Sequence, residues 1–85
     1  MKGSQFNMHK GFVLMNCDLG AEEYIIEELT KISEVSQAYV TFGAYDIIAE
    51  INTNSQNDFE ETVSMKIRRL TRVVSTMTLT VVNSE

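Results

Sequence analysis

The sequence predicts an α+β domain in which a four-stranded antiparallel sheet carries two helices on one face. Its hydrophobic pattern alternates between strand and helix periods in the order strand, helix, strand, strand, helix, strand. The last strand alternates aliphatic residues with threonines, as expected of a sheet that helices cover on only one side. A chain of 85 residues is long enough for one domain with a modest core.

The first strand is predicted from Gly11 to Cys17, where apolar residues run nearly unbroken, as in a central strand covered on both faces. Residues 1–10 are polar and show no period, so we expect a flexible lead-in, with Met8 a plausible natural start. His9 lies in this lead-in and is expected to be solvated rather than a ligand or a base.

An amphipathic helix is predicted from Ala21 to Ile32. Ile25, Leu29 and Ile32 recur at i, i+4 and i+7, and glutamates occupy the other side. Asp18 is the best candidate for the N-cap of this helix. The acidic residues of its first turns suit the positive end of the helix dipole and are interpreted as a solvated face.

Two strand-like runs, residues 38–42 and 45–51, meet at a turn and predict an antiparallel hairpin. Within the second run, Ile47, Ala49 and Ile51 share one face.

A second helix is predicted after Ser55, which forms with Asp58 a variant of the capping box. The helix has an apolar stripe suited to lying on a sheet, at Phe59, Val63, Ile67 and Leu70.

The final strand is predicted within residues 73–82, with residues 83–85 as a tail. One of its faces carries Met77, Leu79 and Val81, and the other carries Thr76, Thr78 and Thr80. This element order is the ferredoxin-like βαββαβ pattern over residues 11–82. Right-handed crossovers place both helices on one face, so the threonines or their aliphatic neighbours lie on an uncovered face that we expect to form a dimer.

Composition excludes several classes of protein. The net charge of −5 disfavours nonspecific binding to nucleic acid or to an anionic membrane. The sequence has neither an apolar run of membrane-helix length nor a signal-peptide pattern, so the cytoplasm is the expected compartment.

Catalysis is poorly supported, and we expect no catalytic residue, no cofactor and no metal site. The sequence lacks a glycine-rich phosphate loop, metal-ligand spacing and a serine beside a plausible base. Cys17 is the only cysteine, which excludes an internal disulfide and favours a plain buried thiol.

Nucleic-acid recognition through the sheet is also unsupported, because the aromatic signature of RNA-recognition strands is missing. A basic cluster does occur late in the second helix, at Lys66, Arg68, Arg69 and Arg72. Its position near the helix C-terminus is better explained by the helix dipole and by solvation than by a binding patch.

The turn Gly43-Ala44-Tyr45-Asp46 and the threonine strand remain as a candidate binding site. Exposed amides at a glycine turn could hold a carboxylate, Asp46 could hold an ammonium, and Thr76 and Thr78 add hydroxyls. Together these groups suit a zwitterion such as an amino acid. The residues alone favour the alternative in which Gly43 shapes the turn, Asp46 satisfies neighbouring amides and the threonines serve the strand.

The segments FVLMNC, EEYIIEELTKISEVSQAYVTFGAYDIIAEI and KIRRLTRVVSTMTLTVV resemble the effector domain of the Lrp/AsnC family of regulators, also called the RAM domain. The most specific marks are the G-x-Y-D turn (residues 43–46) and the S-T-x-T strand (residues 75–78), with a K-I-R-x-L helix segment between them. The resemblance covers residues 11–82.

This resemblance implies a domain that dimerises through its sheets, assembles further into rings of dimers and binds amino acids or related small effectors between subunits. In this family, the residues that contact the effector lie in the turn after the second strand and in the last strand. They carry over here to Gly43, Ala44, Tyr45, Asp46, Thr76 and Thr78.

Family regulators also carry an N-terminal helix-turn-helix domain, which ten leading residues cannot hold. The sequence is then either an excised fragment of such a regulator or the stand-alone form of the domain. We expect the stand-alone form, without direct DNA binding, acting as an amino-acid sensor or mixing with full-length Lrp/AsnC regulators. Two alternatives stay open: a purely structural oligomerisation module, and an ACT-like regulatory subunit of a metabolic enzyme. The sequence does not name the effector, the subunit number or the target genes.

Overall fold

The computed structural model describes residues 9–82. Their elements are β1 (His9–Cys17), α1 (Glu22–Thr30), β2 (Val35–Val40), β3 (Ile47–Thr53), α2 (Gln56–Thr62), a π-helical segment (Val63–Ile67) and β4 (Val73–Thr80). The predicted order of strands and helices is confirmed. The lead-in expected before His9 and the tail 83–85 lie outside the described residues.

All strand pairs are antiparallel, and the sheet order is β2-β3-β1-β4. The two central strands are therefore β1 and β3, and Leu14 of β1 lies between Ile48 of β3 and Met77 of β4. This arrangement is the predicted ferredoxin-like fold.

The core lies between the two helices and one face of the sheet. It contains the predicted helix stripes and the predicted inner face of β3, and burying each large side chain contributes about 1.5–3 kcal/mol. Its buried apolar residues are Val13, Met15, Ala21, Ile25, Leu29, Ile47, Ala49, Ile51, Phe59, Val63 and Ile67.

The start of β1 differs from the prediction. The strand begins at His9, which pairs with Thr53, and the His9 ring packs edge-on against Phe59 with ring centroids 5.1 Å apart. His9 Nε2 is buried and lacks a hydrogen-bond partner among the described residues. The expectation of a solvated His9 is therefore wrong, because Phe59 offers the imidazole an apolar partner.

The predicted cap of α1 is also wrong. Ala21 occupies the N-cap position without a side-chain hydrogen bond, and Asp18 instead accepts a hydrogen bond from Arg72 Nε at 3.3 Å. In contrast, the cap of α2 is confirmed: Ser55 Oγ accepts from the Asp58 amide at 3.0 Å.

Strand β2 begins and ends earlier than the run of β-prone residues suggested. It spans Val35–Val40 and pairs irregularly with β3 between Val35 and Gln37. Phe42, which hydrophobicity had assigned to the strand, is fully exposed in the turn.

The uncovered side of the sheet carries the aliphatic residues, and the threonines of β4 lie on the helix side. We call this uncovered surface the open face; its apolar residues are Phe12, Leu14, Tyr39, Ile48, Met77 and Leu79. The expectation that β1 is covered on both faces is not met within one chain, where Phe12 and Leu14 are half-buried. Among residues 9–82, no helix is long and apolar enough to cross a membrane.

Candidate functional site

The turn between β2 and β3 is fastened to the end of β1 by Asp46. The Asp46 amide donates to the Met15 carbonyl at 2.8 Å, and Asp46 Oδ2 accepts from the Cys17 amide at 3.0 Å. Across the turn itself, Thr41 Oγ1 donates to the Tyr45 carbonyl at 2.7 Å. One carboxylate oxygen of Asp46 thus has the structural role that the residue pattern had favoured.

Gly43 gives this turn its shape. Its φ of 139° lies in the region that residues with a Cβ rarely adopt. Apart from Gly43 itself and its two chain neighbours, no heavy atom of the described chain lies within 4 Å of where a Cβ would stand. Gly43 and Ala44 are exposed. The glycine therefore serves backbone conformation, and the space beside it is open to another molecule.

Tyr45 extends from the turn over the open face. Its hydroxyl donates to Met77 Sδ at 3.6 Å, which joins the turn to β4 across the intervening β1. Tyr45 thus lies close to the last strand, as is required if the turn and β4 form one site.

The two threonines of the candidate site point away from the open face. Thr76 Oγ1 accepts from Arg68 Nε at 3.4 Å, and Thr78 lines a cavity beside α2. Tyr45 and the threonines therefore lie on opposite sides of the sheet. A single chain does not bring all six candidate residues to one point.

The cavity that contains Thr78 lies between β4 and the helical segment that starts with α2; we call it the α2–β4 groove. Its volume is about 390 Å³. Phe59 and Val63 form its apolar floor, and the polar groups around it include Gln56, Glu60, Arg68 and Thr78. The sequence did not predict this groove, because the hydrophobic pattern does not show that β4 and α2 are separated. Arg68 was identified only as part of the basic cluster.

Two of the four residues of the basic cluster form ion pairs. Lys66 Nζ lies 3.0 Å from Glu34 Oε1, and Arg72 Nε lies 3.3 Å from Asp18 Oδ2. The hydrogen bond from Lys66 is the main cause that lowers the pKa of Glu34. These pairs agree with the interpretation of Lys66 and Arg72 as solvated surface residues.

Cys17 lies beside acids and is half-buried. Burial first, and then the charges of Glu22, Asp46 and Asp18, raise the pKa of its thiol. A raised pKa reduces the thiolate fraction, so this cysteine lacks the activation that a nucleophile needs. In the described part of the chain, no group of three or more histidine, cysteine, aspartate or glutamate side chains could hold a metal ion.

The sequence profile of the Lrp/AsnC ligand binding domain matches residues 10–85. Among solved structures, one described as FFRP-DM1 is 31% identical, with a TM-score of 0.84 over 87% of this chain and 99% of the other. The hypothetical protein PHS023 from Pyrococcus horikoshii is also 31% identical, with a TM-score of 0.83 over 88% of this chain and 90% of the other.

A third structure shares the fold at lower identity. It is a complex of the transcriptional regulator NMB0573 from Neisseria meningitidis with L-Met, 17% identical, with a TM-score of 0.81 over 89% of this chain and 51% of the other. A comparison with curated protein sequences gives no match. The profile, which matches nearly the whole chain, shows that this chain belongs to the Lrp/AsnC family, as its ligand-binding domain.

Proposed function

We propose that this domain senses an amino acid or a related small effector, which it binds between subunits, and thereby modulates transcription regulators. The observation that carries the proposal is the division of the candidate site between the two sides of the sheet, Tyr45 on one and Thr76 and Thr78 on the other. A second copy of the chain could supply the missing half. The L-Met complex of a regulator with the same fold supports the effector class.

The open face supports assembly from several copies. Its half-buried and exposed apolar residues form a contiguous patch across all four strands, and patches of this kind mark interaction surfaces. Covering it with a second sheet would bury Phe12 and Leu14 fully and would give β1 the two covered faces that its composition favours.

Within the site, the exposed amides of Gly43 and Ala44 and the Thr78 hydroxyl are assigned to polar groups of the effector. Asp46 holds the turn through Oδ2, so its other oxygen, Oδ1, is the atom assigned to an ammonium. Effector binding would change the assembly of full-length family regulators.

The first test combines light scattering with a thermal-shift screen against the twenty amino acids. We expect a multimer whose melting temperature rises with one or a few of them, because a ligand at about 100 times its Kd stabilises the native state by about 2.7 kcal/mol. Thr78→Val should abolish that rise and leave the multimer intact. Thr71→Val, which removes an exposed hydroxyl bonded to Tyr24, is the control.

The second candidate function is a purely structural oligomerisation module. It is favoured by the fact that Asp46 Oδ2 and Thr76 Oγ1 already have partners within the chain. A multimer that is indifferent to all twenty amino acids would support this module and contradict the sensor.

A further inference from the structure

The α2–β4 groove has unpaired charges of opposite sign near its two ends. Glu60 lies in α2, and Arg68 follows the π-helical segment. Neither takes part in an ion pair within residues 9–82, whereas Lys10, Lys31, Lys66 and Arg72 are each paired with an acid. Phe59 and Val63 form an apolar floor between these charges. A groove of this kind complements a small molecule with two charged ends and an aliphatic middle.

The π-helical segment accounts for the direction of Arg68. The Arg68 amide donates to the Val63 carbonyl at 2.9 Å, a bond over five residues that places Arg68 above Val63 on the groove side of the helix. In a regular α-helix of 3.6 residues per turn, residue 68 would be rotated away from Val63. Single π-helical turns often occur at functional sites, and this one turns a cation toward the threonine face of β4.

Both charged groups are positioned by neighbours and retain binding capacity. Gln56 Nε2 donates to Glu60 Oε2 at 2.8 Å, which fixes the carboxylate, and Arg68 Nε donates to Thr76 Oγ1 at 3.4 Å. The terminal nitrogens of the guanidinium can then form the bidentate contact that Arg makes with a carboxylate. Glu60 Oε1 can accept from an ammonium.

The lining of the groove selects the ligand. Glu60 and Arg68 are eight residues apart in the sequence, on either side of the π-helical segment, and the apolar residues Phe59 and Val63 line the same groove. The α-amino and α-carboxyl groups of an amino acid are joined through a single carbon and offer no aliphatic stem to this lining. A side-chain ammonium on a stem of four carbons offers one.

We infer that the α2–β4 groove binds an amino acid with a cationic side chain, such as lysine, with its carboxylate on Arg68 and its side-chain ammonium on Glu60. This inference rests on the proposed function, since the groove includes Thr78 of the proposed effector site. Arg68 and Glu60 become specificity-determining residues of that site.

The experiment is a calorimetric titration with three probes: L-lysine, L-norleucine and 1,5-diaminopentane. Norleucine lacks the side-chain ammonium and the diamine lacks the carboxylate, so each should bind about tenfold or more weakly than lysine, the effect of losing one charged hydrogen bond. Arg68→Gln should weaken lysine and norleucine binding about tenfold and leave the diamine unchanged. Glu60→Gln should weaken lysine and the diamine, and leave norleucine unchanged.

Neighbouring residues of the same type provide matched controls. Arg69→Gln and Glu61→Gln remove the same charges from positions that do not line the groove, and should change lysine affinity by less than about twofold, as surface charges do. The inference is overturned if norleucine binds as well as lysine, or if the control variants lose as much affinity as Arg68→Gln and Glu60→Gln. If all three probes fail while another amino acid binds, the inference fails and the proposed sensor stands.

Discussion

At the scale of single residues, Asp46 determines how the candidate turn is held. Its carboxylate accepts from the Cys17 amide, a residue 29 positions earlier in the sequence, and its amide donates to Met15. Any effect of an Asp46 substitution on effector binding therefore includes an effect on folding. The two can be separated because asparagine keeps an acceptor oxygen and alanine does not.

We expect Asp46→Ala to lower the free energy of unfolding by about 1–3 kcal/mol, since the part-buried Cys17 amide would lose its acceptor. Asp46→Asn should lower it by less, because its amide oxygen can replace Oδ2. Urea unfolding of the three proteins measures both changes. Equal losses for the two variants would mean that charge, and not the acceptor, holds the turn.

The turn at residues 43–46 could be predicted from its residue types, but its attachment could not. Glycine and aspartate at these positions indicate a turn with positive φ, which Gly43 has. The bond to Cys17 depends on the alignment of β3 with β1, and residue types fix that alignment only through the buried pattern of both strands. The division of the candidate residues between the two sides of the sheet could not be predicted either, because it also depends on how the strands are aligned.

At the scale of the elements, Gly11 lets α2 approach β1. A Cβ at this position would overlap the Phe59 ring and would lie 2.7 Å from the Leu79 carbonyl oxygen. Phe59 is fully buried in the core, so its ring cannot move into solvent. The close contact of strand and helix at this point requires the glycine.

Gly11→Ala should therefore destabilise the domain by about 1–3 kcal/mol, the usual effect of overpacking a core. Phe59→Leu costs stability by itself, but in the Gly11→Ala background it should cost less, because the smaller side chain relieves the overlap. A double-mutant cycle by chemical denaturation gives the coupling. Strict additivity would show that the Leu79 backbone, rather than Phe59, resists the added methyl group.

A second contact between elements joins the π-helical segment to the start of β2 through Lys66 and Glu34. Lys66 lowers the pKa of Glu34, so the pair stabilises the folded state above the ordinary glutamate pKa of about 4.3. This stability is lost as the pH falls through the lowered pKa of the folded state.

We expect Glu34→Gln to lower the free energy of unfolding at neutral pH by about 0.2–1 kcal/mol, the range for surface ion pairs. The difference from the unsubstituted protein should shrink as the pH falls through the lowered pKa of Glu34 in the folded state. Thermal unfolding across this pH range measures it. Glu61→Gln removes the same charge from an exposed position of α2 that forms no ion pair within residues 9–82, and an equal dependence there would assign the effect to net charge.

The apolar stripes of both helices could be predicted, whereas the π-helical segment could not. Phe59, Val63 and Ile67 are buried as expected, because burial follows the hydrophobic pattern in any helix of nearly the right period. The π-helical turn at Val63–Ile67 contains one residue more than an α-helical turn, and this extra residue leaves the hydrophobic pattern almost unchanged. Asp18 failed as a cap for a different reason, since α1 begins at Glu22 and its N-cap position is Ala21, three residues after Asp18.

At the scale of the whole molecule, the main question left by the sequence was which face of the sheet is open. The alternation of β4 separates threonines from aliphatic residues but does not say which set the helices cover. The register with β1 decides it: Thr76 and Thr78 pair with the buried Met15 and Val13, and Met77 and Leu79 pair with Leu14 and Phe12. The aliphatic set is therefore on the open face, where the proposed dimer would cover it.

Met77→Glu should convert the multimer to smaller species, ultimately monomers, because a carboxylate on the open face would be buried without a partner in the proposed interface. Folding should survive, since Met77 is 47% exposed in the single chain. Met65→Glu is a matched control: Met65 is 49% exposed, but on the helical side of the sheet. Light scattering gives the masses. Dissociation by Met65→Glu, with Met77→Glu remaining multimeric, would place the interface on the helices and contradict assembly through the open face.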